Sequence, residues 1–222
     1  MRTRRIILIL IIGLTAGASF AQGPEFEVFV RPAVTALRGN DIVKNNLDPT
    51  VNLSTGLGAN YFLKGKSFIN FAILYDKKGG RGESHIEIRD AQNQVVGQGT
   101  IRNESNFEYI TIPVQWGQRF GQKLKYSFGI GVYTGFLLNQ ETVSKGLGLD
   151  SKQDYTDKFR SIDFGLSANL NLNIPIKDLV FIKIGLNDNL GLINVTDVPA
   201  ANGGTIKHNS LGVLLGFGFR VN

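Results

Sequence analysis

The chain has 222 residues, of which 42% are hydrophobic, 10% aromatic and 19% charged, and it contains 27 glycines and no cysteine. This length suits one domain of moderate size. The lack of cysteine excludes a disulfide scaffold, a thiolate metal site and a cysteine nucleophile. The formal net charge is +6, and Arg2, Arg4 and Arg5 supply half of it. The remaining charge is too small and too scattered to indicate nucleic-acid binding, so we expect no nucleic-acid partner.

Residues 1–21 are predicted to be a signal peptide. A basic start at residues 1–5 precedes an apolar run at residues 6–14, which is too short to span a bilayer as a helix. Small residues follow at Ala18, Ser19 and Ala21, so we expect cleavage after about Ala21, the alternative being an uncleaved anchor. No later stretch approaches the ~20 apolar residues of a membrane helix. Residues 22–222 therefore form the predicted domain, which can enter a membrane only as strands.

The rest of the sequence alternates apolar residues with polar or small ones, which is the two-residue period of a β-strand. In residues 124–138, for example, Leu124, Tyr126, Phe128 and Ile130 alternate with lysine, serine and glycine. Each such segment is long enough to cross a bilayer at a tilt, which takes roughly 9–11 residues. We predict eight strands, at about residues 25–37, 50–63, 66–75, 106–120, 123–138, 160–174, 179–191 and 209–221.

The predicted connections alternate in length. Short turns fall at residues 64–65, 121–122 and 175–178, and long loops fall at residues 38–49, 76–105, 139–159 and 192–208. Within the second loop, residues 84–102 are predicted to form a hairpin outside the membrane, because Ile86 and Ile88 alternate with Glu87 and Arg89 ahead of a turn. An even number of strands with short turns on one side is typical of an eight-stranded antiparallel transmembrane β-barrel with an up-and-down order. Its termini would lie in the periplasm.

The composition of the two strand faces favours a membrane barrel over a soluble one. One face is rich in glycine, asparagine and serine, which suit the crowded interior of a narrow barrel better than a solvated sheet. The other face is aliphatic and aromatic, as contact with lipid requires. We therefore predict outward side chains at Ile130, Val132, Leu166, Leu170, Ile182, Ile184, Val213 and Leu215. Inward positions are predicted at Ser127, Gly129, Gly131, Ser167, Asn169, Lys183 and Gly216.

Charged residues recur on the predicted inward face. An eight-stranded barrel has a lumen just wide enough for side chains, and buried charges need partners. We expect a mixed-sign network that fills the interior, the alternative being an ion or solute path. Its predicted members are Glu27, Arg31, Lys125, Asp163, Lys183 and Arg220. Lys77, Lys78 and Arg81, where the third strand meets the outer leaflet, are candidates for contact with lipid phosphates; the alternative is a solvated turn.

Two adjacent strands resemble a known family. Residues 107–116 read FEYITIPVQW, and residues 126–138 read YSFGIGVYTGFLL. These runs are similar to the "Tyr-Ile-x-Ile-Pro" and "Gly-x-Gly-x-Tyr-x-Gly" strands of the PorT-type outer-membrane β-barrel family of Bacteroidetes, and the resemblance covers about residues 25–222. It implies an integral outer-membrane protein of a Gram-negative bacterium. The family's namesake is linked to protein export across that membrane, and the motifs mark a barrel rather than a reaction.

Few residues in this sequence suggest catalysis. His208, Ser210 and Asp197 could be imagined as a hydrolase triad, but such side chains occur together in loops by chance, so we expect neither enzymatic activity nor a cofactor or metal. We expect a structural or binding role through the outer loops, with a plugged lumen. Expected partners are outer-membrane lipid, lipopolysaccharide and a protein or glycan at those loops. The alternative function is a narrow channel or a component of a protein secretion or transport machine.

Overall fold

The computed structural model describes residues 23–63, 65–198 and 204–221, so the predicted signal peptide lies outside the described residues. Among the described residues, no helix is long and apolar enough to cross a membrane. The elements are β1 (Glu25–Arg38), α1 (Asp41–Asn46), β2 (Asp48–Phe62), β3 (Ser67–Arg89), β4 (Val95–Phe120), β5 (Lys125–Gly146), β6 (Leu149–Asp154), a 3₁₀ turn (Thr156–Lys158), β7 (Ile162–Pro175), β8 (Val180–Gly191) and β9 (Lys207–Arg220).

Eight of these strands form a closed antiparallel ring. The order is β1-β2-β3-β4-β5-β7-β8-β9, and β9 pairs back with β1 from Glu25↔Arg220 to Arg38↔Lys207. Closure leaves no strand edge in the wall, which is what a sheet in hydrocarbon requires, because no water is available there for unpaired backbone groups. The predicted all-β, eight-stranded antiparallel barrel is confirmed.

The predicted faces of the strands are also confirmed. All eight positions predicted to face lipid are exposed, with Ile130 and Leu170 among the most exposed, and Ser127, Ser167 and Lys183 are buried. The small inward residues let neighbouring groups approach closely. A side chain at Gly131, for example, would collide with the backbone carbonyl of Val114 on β4.

Two of the regions predicted as long outer loops are largely strand. β3 has 23 residues and β4 has 26, and they remain paired as far as Arg89↔Val95. β5 runs on to Gly146 and turns back as β6, where residues 139–159 were expected to be a loop. Strand pairing gives the backbone groups of these long connections hydrogen-bond partners within the protein. We call residues 79–89, 95–106, 139–146 and 149–154 together the outer sheet.

A short helix closes part of the outer mouth, in a connection that was predicted only as a loop. Asn40 caps α1, since its side chain accepts a hydrogen bond from the Val43 N–H at 2.7 Å. The capped turn holds the Val43 side chain in a buried position among residues of β1 and β4. α1 is thus fixed over the outer end of the barrel interior.

Candidate functional site

The centre of the barrel interior holds a chain of alternating charges. Arg31 on β1 pairs with Asp76 on β3 at 2.6 Å. Lys78, two residues along β3 and on the same face, pairs with Asp163 on β7 at 2.8 Å and lies 3.7 Å from Asp76. All four side chains are at most 1% exposed. Because each charge has an opposite charge beside it, the group avoids the large penalty of an unpaired buried ion. We call these four residues the central network.

Hydroxyl groups on the surrounding strands donate further hydrogen bonds to the two carboxylates. Asp76 accepts from Ser54 at 2.7 Å and from Thr111 at 3.0 Å. Asp163 accepts from the Tyr133 hydroxyl at 3.0 Å. Residues of β2, β4 and β5 therefore join the network, so six of the eight wall strands are tied together through the lumen.

The cations of the central network have further partners. Arg31 donates to Ser210 on β9 at 3.3 Å and also to Asn187 on β8. The Lys78 ammonium lies over the rings of Tyr133 and Tyr109, at 4.6 and 5.0 Å from their centroids. Cations in this position are attracted by the aromatic face, and the attraction grows when both groups are desolvated. Arg31 and Lys78 therefore each have several partners inside the lumen.

A second charged group lies near the end that carries the short turns. Glu25 accepts two hydrogen bonds from Arg119, at 2.8 and 2.6 Å, and a further ion pair joins it to Arg220 at 2.6 Å. The Arg119 guanidinium also lies 4.4 Å from the centroid of the Phe62 ring. This bidentate, stacked arrangement suits arginine and would not suit lysine.

An apolar cluster lies over the central network on the outer side. Its buried members are Leu37, Val43, Phe107 and Tyr109, with Leu47, Leu137, Phe159 and Ile206 packed against them. The Tyr109 hydroxyl lies 3.1 Å from Nε2 of the buried His208, so the cluster and the polar interior meet at this hydrogen bond. We call these eight apolar residues the outer cap.

The cavity beside the central network is small. A cavity of about 30 Å³ lies between the Glu27–Lys183 ion pair and the central network, and its wall includes Leu74, Gln115 and Asn169. A single water needs ~10–15 Å³ of such space, so the cavity holds one or two waters and no larger solute.

The structure places the six predicted lumen charges on the inward face, although in separate groups. Glu27 pairs with Lys183, and Arg31 and Asp163 belong to the central network. Arg220 pairs with Glu25. Lys125 is half-buried beside that pair, where it lines a second small cavity near the short turns.

One assignment on β3 needs correction. Lys78 was predicted to contact lipid phosphate, and it is instead buried in the central network. The cause is that β3 continues without a break through the glycine-rich segment, so the two-residue period carries Lys78 inward and Lys77 outward. Lys77 is 45% exposed and pairs with Glu108 at 3.2 Å. Arg81 is exposed.

Four charged interior residues were missed by the sequence analysis: Glu25, Asp76, Lys78 and Arg119. The signal that could have found two of them is the alternation of β3, in which Asn70 and Ala72 share the inward face with Asp76 and Lys78. If this two-residue period is continued beyond residue 75, it predicts that Asp76 and Lys78 also face inward.

In the structure, His208, Ser210 and Asp197 each have a different partner. His208 contacts Tyr109, while Ser210 is engaged by Arg31. Asp197 is exposed and pairs with Arg160 at 3.1 Å. Within the described ranges, no three His, Asp or Glu side chains are grouped so that they could hold a metal ion.

Comparison with solved structures gives low similarity over nearly the whole chain. Ail of Yersinia pestis is 11% identical, covers 90% of this chain and 99% of its own, and has a TM-score of 0.42. Neisserial surface protein A is 14% identical over 88% of this chain and 97% of its own, with a TM-score of 0.43. OprG from Pseudomonas aeruginosa is 13% identical over 93% and 100%, with a TM-score of 0.39. A search of curated proteins found no match.

The family comparison is more decisive. The outer membrane protein beta-barrel domain matches residues 10–197, which is most of the chain. The match agrees with the closed eight-stranded ring and with its apolar outward face. It indicates location in the outer membrane of a Gram-negative bacterium. The chain therefore belongs to the outer membrane protein beta-barrel domain family.

Proposed function

We propose that this protein is an outer-membrane barrel with a plugged lumen, and that its outer sheet carries the function by binding a partner. The observation that carries the proposal is the central network, which with its hydrogen-bond partners joins side chains from all eight wall strands inside the lumen. An ion path would need a continuous column of water, whereas this network occupies the axis with groups that bind one another.

The energetics of the network support a permanent plug. Separating Lys78 from Asp163 would leave an unpaired buried charge on each side, and breaking such a pair costs about 3–5 kcal/mol. The outer cap adds a second barrier, because an ion passing Leu37 and Phe107 would lose its hydration without gaining a polar partner. A gap wide enough for a solute would require both layers to open together.

Conductance in planar bilayers tests the plugged lumen. We expect negligible current from the wild-type protein, reconstituted after its folding has been verified by its heat-modifiable migration on a gel. That check excludes unfolded protein as the reason for a silent bilayer. A steady, protein-dependent conductance would overturn the plug and favour the alternative, a narrow channel or a component of a transport machine.

The outer sheet offers a rigid surface for binding, because it consists of paired strands. It is built from strands that continue the barrel wall, so it stands at a fixed angle to the membrane rather than moving as a free loop. Rigid elements hold a binding surface more accurately than loops do. The partner we propose is a protein or glycan, with the exposed hairpin of residues 84–102 as the main contact.

Deletion of that hairpin tests the binding role. The hairpin together with Glu83, residues 83–102, can be replaced by a two-residue Asn-Gly turn, because Gly82 and Asn103 are already paired at that level. The barrel should still fold, and the proteins cross-linked to the wild type in native outer membranes should be lost. A control variant replaces Lys177 and Asp178, in the short turn between β7 and β8, by Asn-Gly, and it should keep them. Retention of every cross-linked protein by the hairpin deletion would contradict the proposal.

Lipopolysaccharide is a further proposed partner, through Arg81 and the outward-facing Lys77. Both are exposed at the level where the apolar outward face of β3 ends. Because Lys77 is already paired with Glu108, Arg81 is the better phosphate ligand. An Arg81→Ala variant should bind lipopolysaccharide less tightly than wild type, while Lys44→Ala, on α1, serves as a control for general loss of positive charge.

A further inference from the structure

The hairpin of β3 and β4 extends beyond the strands on both sides of it. β4 pairs with β5 only from Arg102 onward, so residues 95–101 have one unpaired side, which carries Gly97 and Gly99. β3 pairs with β4 as far as Arg89, whereas its pairing with β2 on the other side ends at Asp48↔Arg81. In the described part of the chain, no strand pairs with that side of β3 beyond Arg81. Residues 84–89 are all exposed. Their outward-directed backbone N–H and C=O groups form a template for another strand. We call residues 84–89 the β3 edge.

The outer sheet has a further edge, β6, which is protected. Asp150, Lys152 and Asp154 place a charge at every second position of that strand. Asp154 also turns the chain, since its side chain accepts from the Thr156 N–H at 2.8 Å. Short, charged edges of this kind resist the addition of another strand.

The β3 edge lacks this protection. It contains no proline, and its one irregularity in pairing falls at the last step, between Ile88 and Arg89. Its charges are already paired within the hairpin, Glu87 with Arg89 at 2.5 Å and the adjoining Glu83 with Arg102 at 3.0 Å. An incoming strand would therefore meet little net charge.

One face of the β3 edge is apolar and uncovered. Ile86 and Ile88 are 37% and 46% exposed. Their partners across the ladder are Gly99 and Gly97, which have no side chain to cover them. The side chain of Leu147, from the β5–β6 turn, lies beside Gly99 and widens this apolar strip. Isolated surface isoleucines are common, whereas an apolar strip along an unpaired edge offers backbone and side-chain recognition together.

We propose that the β3 edge takes up an extended segment of another protein as an added antiparallel β-strand, with branched apolar side chains at alternate positions against Ile86 and Ile88. The inference rests on the proposed binding role of the outer sheet and names its mode. Backbone hydrogen bonds would give affinity, and the two isoleucines would set the register, because a shift of one residue would turn every partner side chain to the wrong face.

The direction of β3 argues against a second copy of this chain as the occupant. β3 leads outward from a short turn in every copy. Two copies in one membrane could therefore pair their β3 edges only in parallel, which is the weaker arrangement. A segment from a different protein is free to bind antiparallel.

Peptide binding to the full-length protein in lipid nanodiscs tests the proposal. The probe is a labelled nine-residue peptide that alternates threonine with isoleucine and valine. Binding should slow amide hydrogen exchange at alternate residues of the β3 edge and leave β6 unchanged. A control peptide with the same side chains carries backbone N-methyl groups at every second residue, so it cannot complete the ladder, and it should bind about tenfold or more weakly.

Two matched variants separate the edge from the rest of the hairpin. Ile86→Lys places a charge on the apolar face of the edge and should weaken peptide binding about tenfold or more. Val96→Lys makes the same kind of change on β4, away from the β3 edge, and should leave binding within about twofold of wild type. Both positions are exposed, so both variants should fold.

Three outcomes would overturn the inference. Equal binding of the N-methylated peptide would mean that side chains alone attract it. Protection of β6, or of neither edge, would mean that the β3 edge does not accept a strand. Clustering of vesicles that carry the wild-type protein, reversed by Ile86→Lys, would mean that the occupant is a second copy on a facing membrane. None of these outcomes bears on whether hairpin deletion abolishes cross-linking, so the broader proposal is tested separately.

Discussion

Replacement of Lys78 by methionine gives a sharp test of the central network. The change keeps the length of the side chain and removes its charge. Asp163 then keeps only the Tyr133 hydroxyl as a partner for Oδ2, and its other oxygen already has no hydrogen bond. Asp76 is less affected, because Arg31, Ser54 and Thr111 still bind it.

The expected loss of stability in Lys78→Met follows from the distance between Lys78 and Asp163. At an effective dielectric of about 20, charges 2.8 Å apart attract by roughly 6 kcal/mol. The cost of desolvating the pair offsets much of that attraction, so removing one partner should lower the free energy of unfolding by about 3–5 kcal/mol. Adding Asp163→Asn removes the stranded carboxylate charge, and the double variant should show a coupling energy of about 1–3 kcal/mol.

The neighbouring lysine provides the control. Lys77→Met makes the same change one residue earlier, on the outward face, where the ion pair with Glu108 is 45% exposed on the lysine side. Exposed pairs of this kind contribute about 0–1 kcal/mol. The difference in unfolding free energy between Lys78→Met and Lys77→Met therefore measures the effect of burying the charge in the lumen, separately from the effect of losing a lysine.

The assay is urea unfolding in phospholipid vesicles, followed by tryptophan fluorescence. The chain has a single tryptophan, Trp116, on the outward face of β4, so its emission reports transfer between lipid and water. An unfolding midpoint for Lys78→Met that matches wild type would refute the buried pair. A double variant whose loss equals the sum of the two single losses would refute the coupling across the lumen.

Further stability predictions use the same assay. Val213→Arg places a charge on the lipid face of β9 and should cost about 2–4 kcal/mol, and a wild-type midpoint would mean that this face does not meet lipid. Gly131→Val forces a side chain against the carbonyl of Val114 and should cost about 1–3 kcal/mol; the same stability as wild type would show that the two strands can separate at no cost. Glu25→Gln removes the carboxylate shared by two arginines and should cost about 3 kcal/mol, with a larger loss at low ionic strength than at high; a loss independent of salt would argue against charge repulsion as the cause.

The strand number and the strand faces could be predicted from the sequence because both depend on local alternation. Ile182, Lys183 and Ile184 illustrate the point: their order alone places the lysine on the opposite face from the isoleucines. The same alternation, together with small inward residues, predicts closure into a narrow barrel. No knowledge of distant contacts is needed for any of these steps.

The central network depends on distant contacts and was only partly predictable. Asp76 and Lys78 lie in a segment with glycines at positions 79, 80 and 82, which locally resembles a turn rather than a strand. What keeps it extended is pairing with β4 and burial of its charges against Arg31 and Asp163, which are 45 and 85 residues away in sequence. The positions of α1 and β6 are fixed by neighbours in the same way.

The two faces of β3 exchange polarity along its length, and this exchange bears on function. Below residue 79, outward residues such as Ile69 and Phe71 are apolar, and the inward face carries Asp76 and Lys78. Beyond Arg81, the face continuous with the lumen carries Ile86 and Ile88, while the opposite face carries only polar side chains. Lipid explains apolar outward residues only within the membrane, so the exchange marks its outer surface near Arg81. The two isoleucines therefore lie in water and out of reach of hydrocarbon, so lipid does not cover them and another protein can.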